Sequence, residues 1–364
     1  MLELKEYSRI LLKWAYENPR PMPWKGISNP YFIWLSEIIL QQTRVEQGLP
    51  YYERFISIYP TVQDLANTSE DELLKHWEGL GYYSRARNLH AAAKTIVELH
   101  DGVFPSSYEQ IRALKGVGDY TAAAIASFAF NQPYAVLDGN VFRVIARWTG
   151  VDVPIDTPGG KQYFLAFANS ILDAQQPGAH NQAMMDFGAT WCTPQKPKCT
   201  GCPFSSHCTA YLEGRVEGLP VKSKKVAKKE RAFIYLVFRG ERDTYLRKRL
   251  EKDFWRHLYE FPSLEPEVLP VELKEVSQLI EDHFPGLLPV KALRMSRVYR
   301  QTLSHRQVSG LFVEVRLLNE SVSLPEDWVS VPWSTSLPSL ALPRMLEWYW
   351  REKEMISAVP NLFE

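Results

Sequence analysis

Four cysteines, a carboxylate inside an apolar segment and an Asp-Gly-Asn turn are the residues whose types and spacing could do chemistry. All four cysteines fall in CTPQKPKCTGCPFSSHC, as Cys192, Cys199, Cys202 and Cys208. A disulfide framework scatters cysteines across a secreted chain, whereas four thiols in one loop suit a metal centre. Zinc sites usually pair two short knuckles. One Cys-x2-Cys flanked by wider gaps lies closer to the single-loop ligation of a 4Fe–4S cluster, though spacing alone leaves zinc open. The carboxylate is Glu37 in YFIWLSEIILQQT (31–43). At helical period Phe32, Leu35, Ile39 and Gln42 fall along one stripe, with Trp34, Ile38 and Leu40 beside it. An ionised carboxylate buried there costs several kcal/mol unless a partner or a raised pKa relieves it. A solvent-facing or arginine-paired glutamate is the commoner use of that residue.

Two further stretches carry weaker signals. AVLDGNVFRVIARW opens a helix with Asp138 and Asn140, where Asp is a preferred N-cap and Asp-Gly-Asn a good turn. IRALKGVGDYTAAAIASFAF (111–130) joins two helical stretches through Gly116-Val117-Gly118, after Lys115. Glycines there permit positive φ and let N–H groups form a nest for a phosphate, but a plain tight turn uses the same residues.

The elements that must position these groups change texture along the chain. Residues 1–212 read as helices separated by Pro and Gly stops such as NPRPMPW and FPSS, starting with the amphipathic MLELKEYSRILLKWAYE. Residues 213–230 form a linker whose VKSKKVAKKER run is basic. From 231 to 364, AFIYLVFRGERDTYLRKRL reads as a hairpin, LFVEVRLL as a strand and LALPRMLEWYWREKE as a closing helix. A helical domain followed by an α+β domain is expected. Lys plus Arg and Asp plus Glu each total 42, so charge alone points to no nucleic-acid partner. There is no signal-peptide pattern and no apolar run long enough to span a bilayer, so a cytoplasmic protein is expected.

WLSEIILQQT, WEGLGYYSRARNLH, LKGVGDYTAAAIA, VLDGNVFRV, NQAMMDFGATWC and the four-cysteine loop stand in one order. In that order the chain resembles the helix-hairpin-helix DNA glycosylases with an iron–sulfur cluster, and more narrowly the MutY-type adenine glycosylases. The resemblance implies excision of adenine opposite 8-oxoguanine or guanine in double-stranded DNA, by a monomer. It casts Glu37 as the general acid whose apolar surroundings raise its pKa. Asp138, at a solvated helix start, would stay ionised and stabilise the oxocarbenium-like sugar, oriented by Asn140, with Tyr120 beside it. It makes the four cysteines ligands of a 4Fe–4S cluster, whose loop would present Lys196 and Lys198 to phosphates. Arg20, Trp24, Leu40 and Gln182 match the adenine pocket. Gln42 and Tyr82 match wedge residues beside the orphaned base, with Thr43 and Leu80 on the same surface, and Lys115, Gly116 and Gly118 match the phosphate-binding hairpin. The related endonuclease III enzymes carry a Schiff-base lysine where this chain has Tyr120, which implies a monofunctional enzyme.

The second domain resembles a MutT-like (Nudix-like) reader. LRKRLEKDFWRHLYEFP (246–262) matches its Trp-containing turn, but Arg256-His257 replace residues that are more often small. No Nudix-box pattern of Glu with Arg and Gly follows, so nucleotide hydrolysis is not expected. RQTLSHR (300–306) matches the recognition loop, with Ser304 and His305 kept and Leu303 replacing the usual aromatic. Ser304 would tell 8-oxoguanine from guanine, and His305 would hold the loop.

Overall fold

The computed structural model describes residues 2–223, 229–240, 243–284, 290–303, 306–317, 325–333 and 337–357. Ser304, His305 and part of the basic linker lie outside the described residues. Two compact units result: Met1–Asn67 with Asn88–Lys225, and Thr68–Arg87 with Val226–Glu364. The segment 68–87 therefore belongs with the C-terminal unit, although sequence order places it inside the helical region.

The first unit contains α1 (Leu4–Glu17), α2 (Pro30–Leu40), α3 (Val45–Ile58) and α4 (Val62–Asn67). After the segment that holds α5 (Glu70–Trp77) come α6 (Ser84–Leu99), α7 (Tyr108–Ala113), α8 (Asp119–Phe130), α9 (Gly139–Thr149), α10 (Pro158–Ile171), α11 (Pro177–Thr190) and α12 (Thr209–Leu212). In α1, Tyr7, Leu11 and Trp14 are buried at helical spacing. α2 starts at Asn29, whose side chain accepts from the Tyr31 and Phe32 amides, and at Pro30 in its first turn. It is buried nearly all round rather than along one stripe, so Glu37 has no solvent face to use. α9 turns a sharp apolar stripe, Val141, Val144, Ile145 and Trp148, inward and ends at Gly150 with φ 71°. Trp148 stacks at a tilt on Phe204, ring centroids 4.1 Å apart, and Phe187 meets Trp14 edge-on at 4.9 Å. Removing such a buried ring costs about 3–5 kcal/mol.

In the second unit a mixed sheet runs β4 (Ser263–Leu264), β1 (Lys229–Phe238), β7 (Arg306–Leu317), β5 (Val290–Met295), with β6 (Tyr299–Leu303) also on β7. β1 and β7 are parallel, Lys229 opposite Arg306 through Phe238 opposite Val315. A smaller antiparallel sheet orders β3 (Tyr259–Glu260), β2 (Asp243–Lys248) and β8 (Trp328–Pro332). The hairpin expected over 232–250 is formed only at its turn: among the described residues β1 and β2 meet antiparallel at the Arg239–Thr244 bridge, where the Gly240 amide donates to the Asp243 carbonyl at 3.0 Å and the Thr244 hydroxyl to the Phe238 carbonyl at 2.9 Å, and the strands then run in different sheets. The last six residues of β1 are buried on both faces, which favours pairing as an interior parallel strand over a two-stranded ribbon. Ile234, Leu236 and Phe238 pack with Val276 and Ile280 of α13 (Leu273–His283). On the other face Phe312 stacks on Tyr349 of α14 (Arg344–Ser357), centroids 4.0 Å apart. Among the described residues no helix is long and apolar enough to cross a membrane.

Candidate active site

Glu37, Tyr120 and Asp138 converge from α2, the first turn of α8 and the N-cap of α9. Glu37 is 8% exposed, and burial pushes its carboxyl up to about 7, with Asp138 adding to the rise and a hydrogen bond from Tyr120 opposing it. Burial beside the two carboxylates drives the Tyr120 hydroxyl well above its ordinary value, so the phenol keeps its proton. That hydroxyl also lies 4.0 Å from the Met185 sulfur.

Asp138 accepts from the Val141 amide at 2.7 Å and from Asn140 Nδ2 at 2.8 Å. Asn140 Oδ1 in turn accepts from Arg143 at 2.8 Å, and Arg143 also donates to the Gly188 and Cys192 carbonyls. The solvated position expected for Asp138 is corrected here. It is only partly exposed, and burial outweighs its hydrogen bonds and raises its pKa, though the larger shift belongs to Glu37. The two acids are separated by donor count: Asp138 has three local hydrogen bonds favouring the carboxylate, Glu37 one.

A pocket of about 440 Å³ opens onto Glu37, within the ~300–1,000 Å³ range of small-molecule sites. Trp24, Lys25, Ser36, Phe128 and Gln182 are among its walls; Arg20 and Leu40 are not. Leu40 instead packs against the backbone of α3, where a Cβ on Gly48 would stand 2.8 Å from it. Arg20 shares Asp186 with Lys25: Nη1 donates to Oδ1 at 3.2 Å, and Lys25 Nζ donates to Oδ2 at 2.6 Å and to the Arg20 carbonyl at 2.7 Å. Sequence reasoning missed Lys25 and Asp186. The one available signal was an acidic residue inside the otherwise apolar NQAMMDFGATWC helix.

The expected wedge residues share a backbone property. Gln42 and Tyr82 both have positive φ, 56° and 49°. Such a conformation is costly for residues with a Cβ and tends to mark functional turns. Gln42 is exposed after α2, and the Thr43 amide donates to the Leu40 carbonyl. Tyr82, in the second unit, is 39% exposed and Leu80 buried; both line a pocket with Phe254, Gln301, Leu303 and Arg306. In the hairpin Gly116 has φ 81° and a Cβ there would meet Asn88 at 2.7 Å. Gly118 departs from expectation: its φ is −92° and a Cβ would find open space, so the φ does not require glycine. Lys115 is exposed.

All four thiols line one pocket with Arg147, Trp191 and Lys198. Arg147 donates to the Cys192 sulfur and to the Thr193 and Pro194 carbonyls, and Trp191 Nε1 donates to the Lys198 carbonyl. Lys196 has φ 48°. Among the described residues no three His, Cys, Asp or Glu side chains converge on a point fit for one ion.

Residues 35–158 match the family described as HhH-GPD superfamily base excision DNA repair protein. A solved thermostable thymine-DNA glycosylase is similar, with TM-score 0.54 and 28% identity over 58% of this chain and 97% of that one. The helical part thus has the fold of the HhH-GPD repair glycosylases. An adenine DNA glycosylase of Buchnera aphidicola (strain APS) is 35% identical over 257 residues, covering 70% of this chain and 73% of that protein. One of Rattus norvegicus is 40% identical over 230 residues, 60% of this chain and 45% of that protein. The chain belongs to the adenine DNA glycosylase family.

Proposed function

We propose that this enzyme excises adenine from double-stranded DNA in base excision repair, acting opposite 8-oxoguanine or guanine without cutting the strand. The observation that carries the chemistry is the buried Glu37 carboxyl, brought to about 7 and held beside Tyr120 and Asp138. Near neutrality a large share of Glu37 is protonated, so it can give a proton to a ring nitrogen of an extruded adenine as the N-glycosidic bond breaks. Asp138, held as a carboxylate by Val141 and Asn140, stabilises the cationic sugar. Tyr120 supplies a phenol where a lyase would need an amine, so no Schiff base forms there. Trp24, Lys25 and Gln182 flank the base, and Gln42, Thr43, Leu80 and Tyr82 fill the stack it leaves. Gly116, Gly118 and Lys115 meet a phosphate.

Cys192, Cys199, Cys202 and Cys208 would hold a 4Fe–4S cluster. Their donor chemistry and shared pocket fit it, and one Cys-x2-Cys flanked by wider gaps favours the single-loop ligation of a cluster over the paired knuckles of zinc. The cluster would brace the loop and supply no step of the hydrolysis. Ser304 and His305 would read the lesion. A base-release assay on duplexes carrying A opposite 8-oxoguanine, A opposite G, or thymine glycol tests the reading. Adenine release from the first two is expected, and release of thymine glycol instead would overturn it.

A further inference from the structure

We propose that the C-terminal unit clasps helix α5 and so sets the pose of Leu80 and Tyr82, making preference for the lesion depend on these contacts. The inference rests on the reading that Leu80 and Tyr82 meet DNA beside the orphaned base. Segment 68–87 clusters with residues after 226, and the contacts that hold it are specific. Asp71 accepts from Lys248 Nζ at 2.5 Å and from the Tyr259 hydroxyl at 3.0 Å. Glu70 pairs with His257. Glu78 accepts from the Leu342 amide at 3.0 Å, Lys75 donates to the Leu340 carbonyl at 3.3 Å, and Arg87 donates to the Arg256 carbonyl at 2.7 Å. Both ends of the segment are thereby tied down.

The turn at Arg256-His257, where small residues are more usual, finds its use here. His257 sits at φ 66°, its amide bonded to the Arg249 carbonyl at 2.7 Å, which points its ring at Glu70. From α5 the restraint passes to the wedge through short bonds. Trp77 Nε1, on the helix, donates to the Gly81 carbonyl at 3.1 Å, and Arg85 donates to the Leu80 and Gly81 carbonyls. Gly79 and Gly81 take positive φ freely, but Tyr82 at φ 49° is in a costly conformation, so the bonds from Trp77 and Arg85 are what hold this turn in shape. A shift of α5 must carry Leu80 and Tyr82 with it. Glu37 and Asp138 are outside this segment, so loosening the clasp should change recognition of the opposite base and leave the chemistry intact.

The contacts are partly exposed, and single pairs of that kind contribute little. The test therefore combines Glu70→Gln with Asp71→Asn in the full chain. Single-turnover adenine release is measured opposite 8-oxoguanine and opposite guanine, with 2-aminopurine beside the orphaned base to report insertion of Tyr82. The ratio of the two rates should fall by about tenfold, with release opposite guanine changed less than about twofold, and the insertion signal should weaken. The Asp71→Lys with Lys248→Asp exchange should restore much of the ratio. Equal loss on both substrates, or an unchanged ratio, overturns the clasp. Lys248→Met, which removes a single half-exposed partner, keeps the ratio measurable if the double variant folds poorly. Tyr82→Ala tests the underlying reading separately: if the ratio survives that substitution the wedge assignment fails, and if it collapses there but not in the clasp variant only the clasp fails.

Discussion

Glu37→Gln should make the protein more stable and nearly inactive, and the stability gain should depend on pH. Glu37 has an ordinary value of 4.5 and stands at about 7 in the fold. Because the folded state holds this proton more tightly than the unfolded chain does, stability is full below about 4.5 and falls as pH rises. The loss is complete above about 7. Raising the carboxyl from 4.5 to about 7 corresponds to between roughly 3 and 4 kcal/mol, using 1.36 kcal/mol per pH unit. Glutamine keeps the shape and an acceptor for Tyr120 but never ionises, so it escapes that penalty. Thermal unfolding of both proteins at pH 5 and pH 8 measures the effect, and the contribution of Asp138 largely cancels in the comparison. The variant should melt higher at pH 8, with most of the difference gone at pH 5. If it melts lower by the same amount at both pH values, the carboxyl is not under strain and the acid assignment loses its physical basis. In the same preparation base release should fall by about 10²–10⁴-fold while lesion-duplex binding survives.

The pH dependence of single-turnover adenine release should show an alkaline limb near 7, where Glu37 deprotonates, and an acid limb from Asp138; a flat profile from pH 6 to 9 would contradict it. The product strand should be intact until treated with alkali or heat, and borohydride trapping of the unmodified enzyme at the rate of base release would refute a monofunctional reaction. Asp186→Asn removes the shared partner of Arg20 and Lys25, so it should cost about 1–3 kcal/mol of stability and weaken duplex binding more than single-turnover release; calorimetry and substrate titration read the two. Purified protein should be brown with iron and acid-labile sulfide near four to four, and stoichiometric zinc without iron would overturn the cluster.

Residue types and local order were enough to mark Glu37 and Asp138 as candidates, and the fold brings the two together. A lone glutamate in an apolar helix, a capping aspartate, a glycine hairpin and a compact cysteine loop each carry a local signature, because capping, turn chemistry and helical periodicity act over a few residues. The helical character of the first 212 residues and the strand over 311–317 were legible for the same reason. Long-range packing decided the rest. Asp138 looked solvated because a helix start usually is; only the packing around it shows the burial that raises its pKa. The expected hairpin goes no further than its turn because β1, buried on both faces, pairs in parallel with β7, a partner 77 positions away by register (306 − 229), and no local pattern encodes that choice. Asp186 shared by Arg20 and Lys25 and the membership of 68–87 in the C-terminal unit are likewise products of tertiary contacts. Their physical reason is common: each depends on which distant surfaces remove water from, or donate hydrogen bonds to, a group whose own neighbours in sequence leave it free to do either.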